Sequence, residues 1–297
     1  MKTSAPTTSI LINNYNNGRF IGACVESALA QTVAAGEVIV YDDGSTDESV
    51  EVLRGFGRRI VLIEGEHDAK RASRASQAEA VWRAFQRSRG EWIFLLDGDD
   101  VFRPRKVETV LRTVAGREGV SLVQSPMRLI DGAGRDFGSY RDARFHHPDL
   151  WSAIYEQNDV DFFYPTSAMV VHRRALAAVL PLDMRICPAL ACDTRIGMLM
   201  PLLGEVVTID EPLANWRRHT GSYISGLGRS RWFPARQTMR RVRAFNVSAG
   251  VFGARPISLW ENGRFRRQVM GALLPDRVRR RLRGTGALFH GETAKVA

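Results

Sequence analysis

Three short apolar segments in the first hundred residues each run into a cluster of Asn or Asp side chains. Residues 7–12 precede the polar run 13–17, residues 38–41 precede 42–47, and residues 92–96 precede 97–100. Segments with the spacing of amphipathic helices separate them, which predicts βαβ units and a mostly parallel sheet. Ligands of such sheets bind beyond the carboxyl ends of the strands, so the three clusters predict one shared site.

The other elements follow from the same reading of apolar spacing. We predict further strands at residues 60–63, 121–125, 166–172 and 206–209, and helices at 19–32, 76–89, 104–115, 173–179 and 193–203. Ser45 or Thr46 is the expected N-cap of a helix that begins shortly after them. Residues 126–165 are expected to form a loop. The predicted fold class is α/β, with a mixed, mostly parallel sheet flanked by helices.

The cluster Asp97-Gly98-Asp99-Asp100 places three carboxylates within four residues. Unpaired, they would repel one another, whereas a divalent cation with a diphosphate on its far side would relieve that repulsion. The structural alternative is a solvated turn that caps the helix at 104–115. Asp42 and Asp43 could accept hydrogen bonds from a base or a ribose, or could cap the next helix. Tyr15 could lie against a nucleobase or in the core.

Several common catalytic signatures are absent from the sequence. We find no GxxxxGK[ST], no GxGxxG after a strand, no HExxH and no GxSxG. Their absence argues against P-loop hydrolysis, Rossmann redox chemistry, zinc proteolysis and α/β-hydrolase acyl transfer.

The net charge of +10 over 297 residues is unevenly distributed. From residue 229 onward the chain carries 16 basic and three acidic residues, so the earlier part is slightly acidic. We therefore divide the chain into a catalytic domain (1–228) and a basic, helical C-terminal extension (229–297). Three irregularly spaced cysteines fit a reducing compartment, and no apolar run reaches the ~20 residues of a membrane span, so we expect a cytoplasmic protein.

The motifs are similar to those of family 2 glycosyltransferases, which have the GT-A fold and are inverting enzymes. The segments that carry the resemblance are Thr8–Asn16, Ser27–Thr32, Val38–Asp47 and Gly90–Asp100, followed by Pro165–Ser167, Cys192-Asp193, Asp210–Ala214 and Trp216–His219. Their order and spacing fit a bacterial branch of that family, and the resemblance extends over about residues 7–225. It implies transfer of a sugar from a nucleoside-diphosphate sugar, with a UDP-sugar expected, to a glycan or lipid-linked acceptor in cell-surface glycan or glycolipid synthesis.

The resemblance also implies roles for individual residues. The nucleoside would be held by Asn13, Tyr15, Asp42 and Asp43, and the metal and diphosphate by Asp97 and Asp99, with Asp99 and His219 at a Mg²⁺ or Mn²⁺ ion. Asp193 matches the catalytic base, and the structural alternative, which is compatible with that role, is that it is the N-cap of a helix over residues 194–203. Arg217 would close over the phosphates. The chain departs from the family pattern at Ala75-Ser76-Gln77, Trp82 and Ala84, where Arg71 and Arg74 are expected to compensate in donor binding.

The basic extension leaves three interpretations open. An amphipathic, Arg-rich stretch can lie on an anionic membrane face, where a lipid-linked acceptor would be found. Alternatively, its helices pack on the catalytic domain. Nucleic-acid binding is disfavoured because no recognised motif accompanies the charge. For the chain as a whole, a non-catalytic nucleotide-sugar binding module and a metal-dependent nucleotidyltransferase are the competing functions.

Overall fold

The computed structural model describes residues 7–68, 73–183, 185–186, 190–219 and 230–274. Its strands are β1 (Thr8–Asn14), β2 (Glu37–Asp42), β3 (Val61–Glu64), β4 (Trp92–Asp97), β5 (Val101–Phe102), β6 (Val120–Gln124), β7 (Met127–Asp131), β8 (Asp136–Tyr140), β9 (Val170–His172), β10 (Glu205–Thr208) and β11 (Ala214–Arg218). Its α-helices are α1 (Gly18–Leu29), α2 (Ser49–Arg54), α3 (Ser73–Arg87), α4 (Lys106–Val114), α5 (Leu150–Gln157), α6 (Arg173–Val179), α7 (Cys192–Gly197), α8 (Phe233–Ala249) and α9 (Gly263–Leu273).

The main sheet has seven strands in the order β10-β6-β9-β4-β1-β2-β3. Neighbouring strands run parallel except β9, which is antiparallel to both β4 and β6. The central strands β1 and β4 are buried along almost their whole length, as continuous apolar runs covered on both faces should be. The predicted mixed, mostly parallel sheet flanked by helices is confirmed.

The register of the central strands brings the predicted polar clusters together. Asn13 of β1 lies opposite Tyr41 of β2 on one side and Asp97 of β4 on the other. One residue further, Asn14 lies opposite Asp42. Because the three strands are parallel and end at the same level, their polar ends share one edge of the sheet.

A second sheet, in the order β5-β11-β7-β8, lies outside the predicted elements. The expectation of a loop over residues 126–165 was wrong, because β7, β8 and α5 all fall in it. These strands are short and carry charges, and β8 is largely exposed, so no buried alternation marks them in the sequence. The strand expected at 166–172 begins only at Val170, after a 3₁₀ turn at Thr166–Ala168.

Two helix boundaries also differ from the prediction. The helix expected over 193–203 is α7 followed by a separate 3₁₀ turn at Met200–Leu202, where Pro201 cannot continue the α-helical hydrogen bonds. Neither Ser45 nor Thr46 caps α2, which begins at Ser49 with no side-chain cap.

Helices α8 and α9 of the basic extension pack against each other and on the preceding residues. Phe245, Ala249 and Ile257 are buried in the same core as the main sheet. Asp161 accepts ion pairs from Arg241 of α8, at 2.8 Å, and from Arg264 of α9. For residues 230–274 the structure thus fits the packed-helix interpretation, while residues 275–297, which include part of the predicted amphipathic stretch, lie outside the described residues.

Within the described part of the chain, no helix combines the length and the apolar character that crossing a membrane requires.

Candidate active site

A cavity of about 500 Å³ opens at the edge of the main sheet where β1, β2 and β4 end. Most of the residues predicted for the site line it: Asn13, Tyr15, Asp43, Arg74, Asp97, Asp99, Asp193 and His219. Asp42 and Arg217 are not among the lining residues, and Arg71 lies outside the described residues. Residues as far apart in the sequence as Asn13 and His219 thus meet in one space.

Asp42 is fully buried and serves the turn that follows β2. Its carboxylate accepts hydrogen bonds from the Asn14 side chain at 2.7 Å, and from the Ser45 backbone N–H and hydroxyl, each at 2.7 Å. These bonds join the ends of β1 and β2 and occupy the hydroxyl that was expected to cap α2. The geometry therefore gives Asp42 a structural place beside the cavity and not a lining position in it.

Arg217 is also buried, at 6% exposure, and its donors are engaged with the protein. Its backbone N–H donates to the Asp100 carboxylate at 2.8 Å, Nε donates to the Asp99 carbonyl at 2.8 Å, and Nη1 donates to the Asp131 carbonyl at 3.1 Å. Arg217 does not line the cavity in this arrangement, and its contact with the phosphates stays a prediction. Arg217 instead holds β11, and with it His219, against the turn formed by residues 97–100, called the acidic turn below.

Asp100 and Lys106 hold the acidic turn from its buried side. The Ser167 hydroxyl donates to Asp100 at 2.6 Å and accepts the Asp97 backbone N–H at 3.0 Å. Lys106 Nζ donates to the Ser167 carbonyl at 2.7 Å and lies 4.3 Å from the centre of the Phe102 ring. Burial raises the pKa of Asp100 and lowers that of Lys106 to about 7. These contacts fix the direction in which Asp97 and Asp99 point.

Asp97 is held by amide donors at the floor of the cavity. Gln77 Nε2 donates to its Oδ1 at 2.9 Å, and Asn13 also donates to its side chain. Burial, followed by the nearby carboxylates of Asp99 and Asp193, raises the pKa of Asp97 to about 7. Three carboxylates in one cavity repel each other, so the site favours a ligand that brings positive charge.

Asp99 and His219 form the pair that could hold a divalent cation. His219 Nε2 lies 3.1 Å from Asp99 Oδ2, and its ring packs on Phe20 with the ring centres 4.7 Å apart. Among the described residues no three His, Cys, Asp or Glu side chains are grouped as a metal site on their own. One carboxylate and one imidazole suit a cation whose other ligands are phosphate oxygens and water. The donor set therefore fits the predicted metal.

Asp193 lies in the first turn of α7, and the alternative that it caps this helix was wrong, because the N-cap is Ala191. Its carboxylate accepts hydrogen bonds from the backbone and hydroxyl of the neighbouring Thr194. Burial raises its pKa, although the Thr194 bonds and the charges of Arg241 and Arg74 oppose that rise. A raised pKa makes this carboxylate a stronger base than an ordinary exposed aspartate, which suits it to accept a proton.

His67 is a cavity residue that the sequence analysis missed. Its ring lies parallel to that of Tyr15, with the centres 4.1 Å apart and 15° between the planes, and its Nδ1 lies 2.8 Å from Asp43 Oδ2. His67 lies three residues after the end of β3, at the same edge of the sheet as the other polar clusters. That position after a strand was the signal from which the sequence could have indicated a cavity residue. Trp82 and Ala84, where the chain departs from the family pattern, are not among the residues that line the cavity, and both pack against the core.

The comparisons with known proteins agree with this fold. The family described as "Glycosyl transferase family 2" matches residues 9–179. An uncharacterised glycosyltransferase of Nostoc is 29% identical over 71% of this chain, and the match covers 64% of that protein. An Escherichia coli chondroitin synthase is 35% identical over 43% of this chain and 18% of its own length.

Among solved structures, Staphylococcus aureus TarS residues 1–349, in complex with UDP-GlcNAc, superpose with a TM-score of 0.60. The sequences are 14% identical, and the match covers 88% of this chain and 72% of that one, so the likeness concerns the fold. Because the family match spans more than half of the chain, and includes the strands whose ends form the cavity, this chain belongs to glycosyl transferase family 2.

Proposed function

We propose that this glycosyltransferase moves a sugar from a UDP-sugar to an acceptor hydroxyl, with inversion at the anomeric carbon and with a divalent cation. The observation that carries this proposal is that one cavity is lined by Asp99 and His219, by Tyr15 and Asp43, and by the Asp193 carboxylate. That set offers a place for a cation, for a nucleoside and for a proton. Synthesis of a cell-surface glycan or glycolipid is the role we propose for it.

The nucleoside end of the donor belongs at Tyr15, Asp43 and Asn13. An aromatic ring that is 39% exposed offers a face to a base, and a carboxylate accepts a base or ribose N–H or O–H. Asp42 supports this end indirectly, by fixing the turn. The choice of uridine is supported by TarS, which was crystallised with UDP-GlcNAc and with UDP.

The diphosphate belongs between the acidic turn and Arg74. Asp99 and His219 would hold Mg²⁺ or Mn²⁺, and a bound cation would offset the charge that develops on the departing diphosphate. Asp97 accepts a hydrogen bond from Gln77, which fixes the position of this carboxylate at the floor of the cavity. Arg74 lines the cavity and is better placed than Arg217 to meet a phosphate.

Asp193 would take the proton of the acceptor hydroxyl as that oxygen bonds to the anomeric carbon. A hydroxyl is a poor nucleophile until its proton can leave, and a positioned base contributes about 10²–10⁴-fold. The donor's anomeric carbon acquires oxocarbenium character while the bond to the diphosphate breaks. Beyond this proton transfer, the chain's contribution is chiefly to align the two reactants.

The test is a panel of UDP-, GDP- and dTDP-sugars with Mg²⁺ or Mn²⁺ and candidate acceptors, in which the release of nucleoside diphosphate is measured. We expect UDP release that requires the cation, and a loss of at least 100-fold in kcat for Asp193→Asn. Asp183→Asn, on an exposed ion pair with Arg185, is the matched control and should be unchanged. Release of pyrophosphate would instead indicate a nucleotidyltransferase, and full activity of Asp193→Asn would rule out the base assignment.

We also propose that the basic extension meets an anionic membrane that carries a lipid-linked acceptor. The outer faces of α8 and α9 expose arginines together with apolar side chains: Arg236, Met239, Arg243, Val247, Arg266, Arg267, Met270 and Leu273. Neither helix contains an acidic residue. Mixed basic and apolar faces of this kind bind anionic bilayer surfaces.

Flotation of the full-length protein with phosphatidylglycerol vesicles tests this surface. Each arginine near an anionic surface contributes about 1 kcal/mol, so Arg266→Gln with Arg267→Gln should weaken the partition coefficient by roughly 30-fold. Arg58→Gln with Arg112→Gln removes two exposed arginines of the catalytic domain and serves as the control. Equal flotation of the two double variants would disprove the membrane contact.

A further inference from the structure

The ring of His67 covers one face of Tyr15, the aromatic ring at which we place the nucleobase. The two rings are nearly parallel with centres 4.1 Å apart, which is the separation of rings in direct contact, so no base fits between them. At the same time His67 Nδ1 lies 2.8 Å from Asp43 Oδ2. Because a carboxylate only accepts hydrogen bonds, Nδ1 is the donor.

This arrangement hides the Asp43 carboxylate. The side chain is 3% exposed, with Oδ2 covered by His67 and Oδ1 buried without a hydrogen-bond partner. Asp43 itself is anchored, since its backbone N–H donates to the Asn14 carbonyl at 2.9 Å. A nucleobase therefore reaches this carboxylate only if a neighbouring group moves.

The His67 side chain is the neighbour that is free to rotate. The backbone before it is fixed, because the Gly65 N–H donates to the Asp42 carbonyl at 2.8 Å. The backbone N of His67 also lies close to Gly44, whose φ is +69°: a Cβ atom added to Gly44 would be 2.6 Å from it. The imidazole, by contrast, is 25% exposed at the cavity and can turn about its own side-chain bonds.

We propose that His67 is an internal stand-in for the nucleobase, and that the donor must displace it to bind. In the free protein the imidazole stacks on Tyr15 and donates an N–H to Asp43, and an incoming base would replace both interactions. This proposal rests on the proposed function, because it takes Tyr15 and Asp43 as the nucleoside site. It adds a specificity element that neither residue provides alone.

The exchange selects bases by their chemistry. Uracil and thymine carry a ring N3–H, and guanine carries a ring N1–H, so each of them can offer Asp43 the donor that His67 withdraws. Cytosine and adenine have acceptor nitrogens at the corresponding ring positions, so only their exocyclic amino groups could donate to Asp43, and the ring nitrogen beside that group would face the carboxylate as a second acceptor. A buried carboxylate left without a donor is strongly unfavourable, and sites built on a hydrogen bond reject ligands that lack it. His67 therefore raises the requirement for a base with a ring N–H above what stacking alone imposes.

Calorimetric binding of UMP, dTMP, GMP and CMP to the full chain tests the stand-in. If the displaced state is about one-tenth of the free protein, His67→Ala should bind UMP about tenfold more tightly than wild type, a change of about 1.4 kcal/mol. His147→Ala, which removes an exposed histidine outside this cavity, should leave the affinity unchanged. Equal or weaker UMP binding by His67→Ala would overturn the proposal.

A second measurement follows the imidazole in the wild-type protein and does not depend on the variant's folding. The six histidines give few ring-proton NMR signals, and that of His67 should be shifted upfield by the Tyr15 ring. Saturation with UMP should remove the shift, and a shift that persists at saturation would show that His67 is not displaced. If none of the four nucleotides binds either protein, the nucleoside site itself is wrong and the proposed function falls with it.

Discussion

One buried carboxylate holds two arginines of the basic extension against the rest of the chain, and its removal should destabilise the protein substantially. Asp161 is 8% exposed and bonds both Arg241 and Arg264. Burial alone would raise its pKa, but the two arginines outweigh burial and hold the pKa of Asp161 below its usual range. Asp161→Asn keeps the shape of the side chain and removes the charge that balances two largely buried guanidinium groups.

The expected magnitude follows from the burial of the partners. Breaking a buried ion pair on one side costs about 3–5 kcal/mol, because the remaining charge stays buried. Arg264 retains a second carboxylate, Asp159, at 3.8 Å, which favours the lower end of that range. We therefore expect Asp161→Asn to lose about 3 kcal/mol of unfolding free energy, or roughly 6 °C in melting temperature for a chain of this size.

Urea unfolding followed by circular dichroism measures this loss directly. Asp210→Asn is the matched control, because the same substitution there removes an exposed ion pair, with Asp210 80% and Arg141 51% exposed. Exposed pairs contribute about 0–1 kcal/mol, so the control should change little. Equal losses for Asp161→Asn and Asp210→Asn would refute the reasoning from burial.

Acid should reproduce the effect in the wild-type protein. A carboxyl whose folded pKa lies below its unfolded value stabilises the protein above the unfolded pKa, which is about 3.9 for Asp. That stabilisation is lost as the pH falls below about 4 toward the folded pKa. The stability difference between wild type and Asp161→Asn should therefore be constant from pH 5 to 8 and should narrow below pH 4.

Three further predictions concern other parts of the molecule. UDP with a divalent cation should raise the melting temperature of the wild type, and EDTA, which removes the cation, should reduce that rise. In Asp99→Ala, EDTA should make no difference to the rise that UDP causes. Burial lowers the pKa of Lys106 from 10.5 to about 7, so the unfolded chain binds more protons between these values. Wild-type unfolding free energy should therefore rise with pH from 7 to 10 relative to Lys106→Met, by up to about 1.4 kcal/mol per pH unit. In Gly197→Ala the new Cβ would lie 2.4 Å from Phe163 Cγ, so thermal unfolding should show a loss of about 1–3 kcal/mol, whereas Gly250→Ala meets nothing within 4 Å and should not.

The sequence predicts the central strands and their polar ends because local pattern and burial coincide there. β1 and β4 are apolar runs of strand length, and the motif at each carboxyl end follows immediately. Parallel pairing then brings Asn13 and Asp97 together without any further information. The cavity's carboxylates at the strand ends, Asp43, Asp97 and Asp99, were predictable for the same reason, whereas Asp193 on α7 followed only from the family resemblance.

The second sheet and the fate of individual side chains were not predictable from local pattern. β7 and β11 pair across 87 residues of chain, so their register depends on tertiary packing and not on periodicity. Asp42 and Arg217 have the residue types of a ligand site, but the structure uses their hydrogen bonds internally. His67 bears no motif, and only the place where β3 ends brings it to Tyr15.

Arg241 connects the basic extension to the chemistry proposed for the cavity. It lies on α8, it pairs with Asp161, and its charge is one of those that oppose the rise in the pKa of Asp193 that burial causes. The extension is therefore not an interchangeable module, because a chimera that exchanged it with a relative's would also exchange part of the electrostatic setting of the proposed base. Truncation at residue 228 would remove Arg241 and so alter the acid limb of the pH–rate profile, and it would also remove any membrane contact. Charge reversals at exposed arginines of the extension would change the membrane contact alone, and would therefore separate the two effects.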